Sequence, residues 1–206
     1  MAKETALLTY DAAKERLWGT IKPARPFVMT AYSGGSRGHR EGDPVKYLYS
    51  QAALPSSHLA TTAEKLGADG RLTQRGGTLP AGHYICQYLR NHGKLHECIR
   101  LKPAQDAKVI QLPPDVALKF GRTWIPHGRN LNGEFFYIHG RGPMGSDGCI
   151  VPKSPQDLKD LNEAVRDFPG LVILWVKNVS FQLPQELGGR IVNWWEVGTL
   201  NNALYR

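Results

Sequence analysis

Cysteine is scarce in this chain: 206 residues hold three, Cys86, Cys98 and Cys149. An odd count leaves at least one thiol outside any intramolecular disulfide. Strand periodicity argues against pairing Cys86 with Cys98. With a two-residue turn at His92 and Gly93, Cys86 faces Ile99 and Cys98 points to the other sheet face. No apolar run reaches membrane-spanning length, so no membrane span is expected. The first eight residues, Met1 to Leu8, carry no hydrophobic leader core. The expectation is a chain made in the cytoplasm without a visible export signal. Acidic residues are the minority, 18 against 26 lysines and arginines, which leaves a net charge of +8. That excess forms no dense Lys/Arg run, and no nucleic-acid-binding motif accompanies it. It is read as affinity for an anionic environment such as the cell wall, with no nucleic acid as partner. Internal repeats and low-complexity segments are also missing.

What is present points to β-structure. The 22 glycines and 14 prolines, with 41% apolar residues, describe a turn-rich globular chain. Its length suffices for a substantial core without disulfide staples. Strands are expected on either side of a turn at Asp11–Lys14, at Phe27–Tyr32, in a hairpin of Tyr84–Leu89 and Leu95–Leu101, and at Arg122–Ile125 and Glu134–Ile138. Residues 36–43 read as a surface loop, and Ser57–Leu66 as a short helix stopped by Gly67. A helical turn or two is expected over Pro113–Phe120. The clearest helix is Pro155–Phe168, with Ser154 as N-cap, Pro155 at the first position and Asp157 in the first turn. Leu158, Leu161, Val165 and Phe168 form its single apolar stripe. The apolar run Leu171–Val176 reads as a central strand, and the helix is expected to pack behind the strand that carries Cys149. The fold class is therefore mostly β, a β-rich α+β domain. Residues 1–78 supply N-terminal strands and a loop or helical insertion of the same domain. Residues 79–176 supply the core, and 177–206 a C-terminal extension whose Trp194 and Trp195 suit core packing.

One stretch carries the chemistry, Phe135 to Pro152. Four apolar residues, Phe135–Ile138, lead into His139. Nine loop residues with glycines at 140, 142, 145 and 148 separate it from Cys149, after which Ile150 and Val151 resume a strand. A histidine at one strand end and a cysteine at the next strand start suit a thiolate–imidazole pair. The thiolate is the nucleophile, and the imidazole takes its proton. Gly148 and Cys149 can aim consecutive backbone N–H groups at a developing oxyanion. Arg141, beside the pocket, suits a substrate carboxylate as well as solvent. His127, in Pro-His-Gly, is either a cleft residue or a turn residue. Asp147 reads as a solvated loop charge. His92 and His96 flank Gly93 in a hairpin turn, a geometry that does not suit a zinc site with Cys86 and Cys98.

His139-Gly140 followed by Ser146-Asp147-Gly148-Cys149 resembles the signature of the L,D-transpeptidases, the YkuD-like cysteine enzymes of peptidoglycan. The histidine precedes the cysteine, unlike the papain-like order. Two features depart from the common pattern. Ile150, Val151 and Pro152 follow the cysteine where a polar or basic residue is usual, and the His–Cys spacing is short. Both resemble a smaller branch, the L,D-transpeptidase-like effectors of type VI secretion. Leu79-Pro80-Ala81-Gly82-His83-Tyr84 resembles the Pro-x-Gly-x-Tyr segment of that branch, and Tyr32-Ser33-Gly34 does so more weakly. The resemblance spans Leu79–Val176.

The resemblance implies an L,D-transpeptidase-like β-sandwich or distorted barrel with one or two short helices. It implies His139 as base and Cys149 as nucleophile, with Ser146 and Gly148 at the oxyanion pocket. Gly140, Arg141 and His127 would line the substrate side. It also implies peptidoglycan tetrapeptide stems as substrate, cleaved or exchanged at their L,D bond, and activity in the periplasm of a target bacterium. A secretion-apparatus component and a periplasmic immunity protein are the implied partners. The chemistry calls for neither metal nor organic cofactor. Two alternatives stand beside this reading: a cysteine amidase of another substrate class, and a non-catalytic wall-binding β module.

Overall fold

A computed structural model describes residues 4–23, 26–33, 65–66, 72–73, 79–112, 114–121, 123–126, 136–140, 146, 148–182 and 191–193. Its centre is a closed barrel of eight strands. These are β1 (Thr5–Asp11), β2 (Arg16–Thr20), β3 (Phe27–Ser33), β6 (Gly82–Leu89), β7 (Cys98–Pro103), β10 (Phe136–Ile138), β11 (Ile150–Pro152) and β12 (Leu171–Lys177). Around the barrel they run β1-β12-β6-β7-β10-β11-β3-β2. Two neighbouring pairs are parallel, β1 with β12 and β10 with β11; the others are antiparallel. The chain is thus mostly β with few short helices, and its form is a barrel.

Period-two alternation explains which side chains fill it. Ala6, Leu8 and Tyr10 of β1, Val172, Leu174 and Val176 of β12, Ile99 and Leu101 of β7, and Phe136 and Ile138 of β10 join one buried cluster. Residues between them face outward, so Leu7 and Trp175 remain 51% and 39% exposed.

The helix α2 (Pro155–Asp167) starts as the sequence suggests. The Ser154 hydroxyl accepts the Asp157 N–H at 3.3 Å. Leu158, Leu161, Val165 and Phe168 join the barrel cluster. The helix contacts β6, β7, β3 and β11. A shorter helix, α1 (Pro114–Phe120), lies between β8 (Val109–Gln111) and β9 (Trp124–Pro126), which pair with each other. Among the described residues, no helix is long and apolar enough to cross a membrane.

Several expectations need correction. The β6–β7 register sets Cys86 opposite Leu101 and Tyr88 opposite Ile99, two residues from the predicted pairing. The connection is longer than a tight turn, with a 3₁₀ turn at Gly93–Leu95. A shift of two preserves the facing, so Cys86 still enters the barrel cluster while Cys98 lies outside it. Lys65–Leu66, expected at a helix end, is β4 and pairs with β5 (Leu72–Thr73). The rest of 57–64 lies outside the described residues, as do residues 36–43 and Trp194–Trp195. In the C-terminal stretch, β13 (Ser180–Gln182) pairs with β14 (Ile191–Asn193).

The Leu79–Tyr84 segment is built into the barrel wall. Leu79 and Tyr84 are fully buried, and the Tyr84 hydroxyl donates to the Pro80 carbonyl at 2.8 Å. Gly82 has φ +127, and a Cβ there would meet the Ala107 backbone at 2.6 Å, so only glycine fits.

Candidate active site

The site follows from the one parallel contact between β10 and β11. Ile138 pairs with Ile150, and both are fully buried in the barrel. His139 follows the first of these residues and Cys149 precedes the second. By alternation both project to the opposite, outer side of the wall. The His139 N–H donates to the Ile150 carbonyl at 3.0 Å, which locks the two segments together. A strand separation of about 4.8 Å and a rise of about 3.3 Å per residue put the two Cα atoms about 8 Å apart. The pairing thus brings His139 and Cys149 onto adjacent segments of the wall.

His139 is oriented by its own neighbour. Its Nδ1 lies 2.9 Å from the Gly140 carbonyl oxygen. A carbonyl only accepts, so Nδ1 carries the proton and Nε2 keeps its lone pair. The ring is 8% exposed. Burial pulls its pKa below the ordinary 6.5, an effect the Gly140 carbonyl partly opposes. The imidazole is therefore neutral near pH 7 and able to accept a proton at Nε2. Gly140 is held close to α2: a Cβ there would meet Leu158 Cδ2 at 2.9 Å.

Cys149 is half-buried, and its backbone is pinned from both sides. The Ser146 hydroxyl donates to the Cys149 carbonyl at 2.5 Å and accepts the Gly148 N–H at 3.2 Å. The Gly148 carbonyl accepts from the Ser33 hydroxyl at 2.9 Å. Gly148 itself has φ +115, a region L side chains rarely enter. The Gly148 N–H is thus given to Ser146 and the Ser146 proton to the Cys149 carbonyl, bonds that shape the loop before Cys149. Arg141, Asp147 and His127 lie outside the described residues.

Three groups near the pair were not anticipated. Tyr137 leads His139 by two residues and so shares its outward face. Arg100 is its partner across the strand. The ring of His92 stacks on Tyr137 with centroids 4.8 Å apart. Burial raises the Tyr137 hydroxyl pKa, Arg100 lowers it, and the thiols of Cys98 and Cys149 raise it again. Cys98 is fully buried, and burial together with the nearby Cys149 pushes its thiol up to about 11. The signal for Tyr137 was available in the period of two. That for Arg100 and Cys98 required the β7–β10 pairing.

A second dyad sits elsewhere on the wall. His83 Nδ1 lies 2.7 Å from Asp106, and its ring stacks 6.0 Å from Trp175. Among the described residues, no group of three histidine, cysteine or acidic side chains gathers as a metal site. A recess away from the pair, between α2 and the β2–β3 connection, is walled by Ile21, Phe27 and Phe168. Set against known proteins, the chain matches no family model, no curated protein and no solved structure.

Proposed function

We propose that the chain is a cysteine acyl transferase in which Cys149 is the nucleophile and His139 its base. The observation that carries this reading is the Gly140-anchored imidazole, neutral and with Nε2 available, next to the strand start that presents Cys149. His139 Nε2 takes the Cys149 Sγ proton, and the thiolate adds to an amide carbonyl. The tetrahedral oxyanion collapses, the C–N bond breaks, and the amine leaves with the proton returned by His139. A thioester on Cys149 remains. Water or an amine then attacks it, His139 takes the incoming proton, and the thiol is restored.

The substrate class follows from the resemblance of His139-Gly140 and Ser146-Asp147-Gly148-Cys149 to the L,D-transpeptidases. On that basis the amide is the L,D bond of a peptidoglycan tetrapeptide stem, and the leaving amine is D-alanine. Water as acceptor gives an L,D-carboxypeptidase, a D-amino acid gives exchange, and a stem amine gives a cross-link. The same resemblance, with the +8 charge, supports an antibacterial type VI effector that acts in the periplasm of a target cell. Its producer would carry an immunity protein with an acidic face.

Incubation of purified tetrapeptide muropeptides with the protein, with and without a D-amino acid, tests the substrate. Tripeptide or exchanged tetrapeptide masses are expected. Unchanged muropeptides, with turnover of other amides, would favour a cysteine amidase of another class.

A further inference from the structure

We infer that the Tyr137 hydroxyl is a further catalytic group of the acyl transfer, donating a hydrogen bond to the substrate's carbonyl oxygen as that oxygen gains charge. The inference rests on the acyl-transfer reading above.

Tyr137 is the middle residue of β10, between Phe136 and Ile138, which are 2% and 0% exposed in the barrel. Alternation sends its side chain to the outer side of the wall, where it is half-buried. Ile138 pairs with Ile150 in the parallel contact of β10 with β11. One residue back on each segment, Tyr137 lies beside Cys149, a strand spacing of about 4.8 Å away. On its other side Tyr137 pairs with Arg100 of β7. The hydroxyl is near enough to Cys149 and to Arg100 to feel the charge of both.

The ring is held and its hydroxyl is not spent. His92 stacks on the ring with centroids 4.8 Å apart and planes 30° apart, which restrains the ring without engaging its polar end. Among the described residues, nothing is hydrogen-bonded to the hydroxyl. Burial, above all, holds its pKa above the ordinary 10.0. The phenol therefore keeps its proton through the neutral range and acts as a donor. A phenol arm is also longer than a cysteine's one-carbon arm. It reaches further from the wall than Sγ, on the side where a carbonyl added to Sγ holds its oxygen.

The chemistry assigns separate tasks to the two side chains. His139 takes the thiol proton on Nε2. Sγ bonds to the carbonyl carbon, and the C=O π pair moves onto oxygen. The Tyr137 O–H donates to that oxyanion and keeps its proton throughout. On collapse the pair re-forms C=O, the C–N bond breaks, and His139 returns the proton to the amine. Tyr137 thus favours the tetrahedral state over the bound amide, which raises kcat more than it lowers KM.

The test compares full-length wild type with Tyr137→Phe, which keeps the ring and removes the hydroxyl alone. Three readouts are taken: kcat and KM for D-alanine release from tetrapeptide stems, the rate of Cys149 alkylation by iodoacetamide, and the melting temperature. Alkylation passes through no oxyanion, so it reports the thiolate alone. Loss of one oxyanion donor lowers kcat by roughly 10²-fold or more. Tyr137→Phe is expected to lose kcat on that scale, with KM, alkylation rate and melting temperature close to wild type. Wild-type kcat in a folded Tyr137→Phe would overturn the proposal, as would a parallel fall of kcat and alkylation. If Tyr137→Phe does not fold, a ring-difluorinated tyrosine at position 137 decides. It keeps the hydroxyl but gives up its proton at lower pH, so the alkaline fall of kcat should move to lower pH. An unmoved profile overturns the proposal, and if neither variant folds the role is structural and the proposal fails. Absence of acyl transfer in wild type, or its survival in Cys149→Ala, would instead remove the underlying reading and the role of Tyr137 with it.

Discussion

The three thiols should differ sharply in reactivity, by an amount the structure sets. Cys86 sits in the barrel cluster, and burial pushes its thiol up to about 12. Cys98 is raised to about 11 by burial and by Cys149. At pH 7.5 these values correspond to thiolate fractions of roughly 3 × 10⁻⁵ and 3 × 10⁻⁴, against about 0.1 for an ordinary cysteine of pKa near 8.5. Protonation alone thus slows Cys98 about 300-fold and Cys86 about 3,000-fold relative to an ordinary thiol. Their burial adds a steric barrier. Cys149, half-buried and next to His139, should account for essentially all early labelling. The assay is limited iodoacetamide alkylation of the native protein, digestion, and mass spectrometry of the three cysteine peptides over a pH series. His139→Ala should slow Cys149 labelling near neutral pH and change its pH profile, because the proton acceptor is gone. Labelling of Cys98 or Cys86 at a rate comparable to Cys149 would refute the burial argument. A pH profile for Cys149 identical in His139→Ala would refute the coupling of the pair.

Gly148→Ala should destabilise the fold by about 1–3 kcal/mol, since φ +115 is closed to L side chains, and chemical denaturation checks it. Glu15 has a buried Oε2 with no hydrogen-bond partner, and burial raises its carboxyl from 4.5 to about 7. The folded pKa exceeds the unfolded one, so this group's stabilising share is full below about pH 4.5 and is lost as pH rises through 7. Glu15→Gln should flatten that decline and raise stability at pH 8, relative to pH 4, by about 1–2 kcal/mol after discounting for partial solvent screening; paired denaturation curves at the two pH values decide it. In bacteria, cytoplasmic expression should be tolerated, while fusion to an export signal should be toxic with shortened stems, dependent on Cys149 and His139. Colony counts with and without the signal, and with each alanine variant, check this.

Local signals were legible in the sequence and long-range ones were not. Ser154, Pro155 and Asp157 marked the start of α2 because a cap is a property of four adjacent residues. The strand into His139 and the glycines before Cys149 marked the candidate site for the same reason. Barrel closure was hidden, because it depends on β1 lying parallel to β12, a pairing of Thr5 with Leu171 that no local pattern encodes. The β6–β7 register was missed because Arg90–Glu97 looks like a tight turn around His92-Gly93 but contains a 3₁₀ turn. Ser33 stood in the sequence only within the weaker Tyr32-Ser33-Gly34 resemblance; its bonds to Gly148 and Leu79, far away along the chain, needed the fold.

The most direct test of the central claim is to trap the acyl intermediate. The protein is mixed with tetrapeptide stem, quenched in acid within seconds, digested, and analysed by mass spectrometry. A thioester is expected on the peptide that contains Cys149, with the mass of the stem less D-alanine. It should be absent in Cys149→Ala and strongly reduced in His139→Ala. Product formation without an adduct on Cys149, or an adduct on another residue that survives Cys149→Ala, would contradict it.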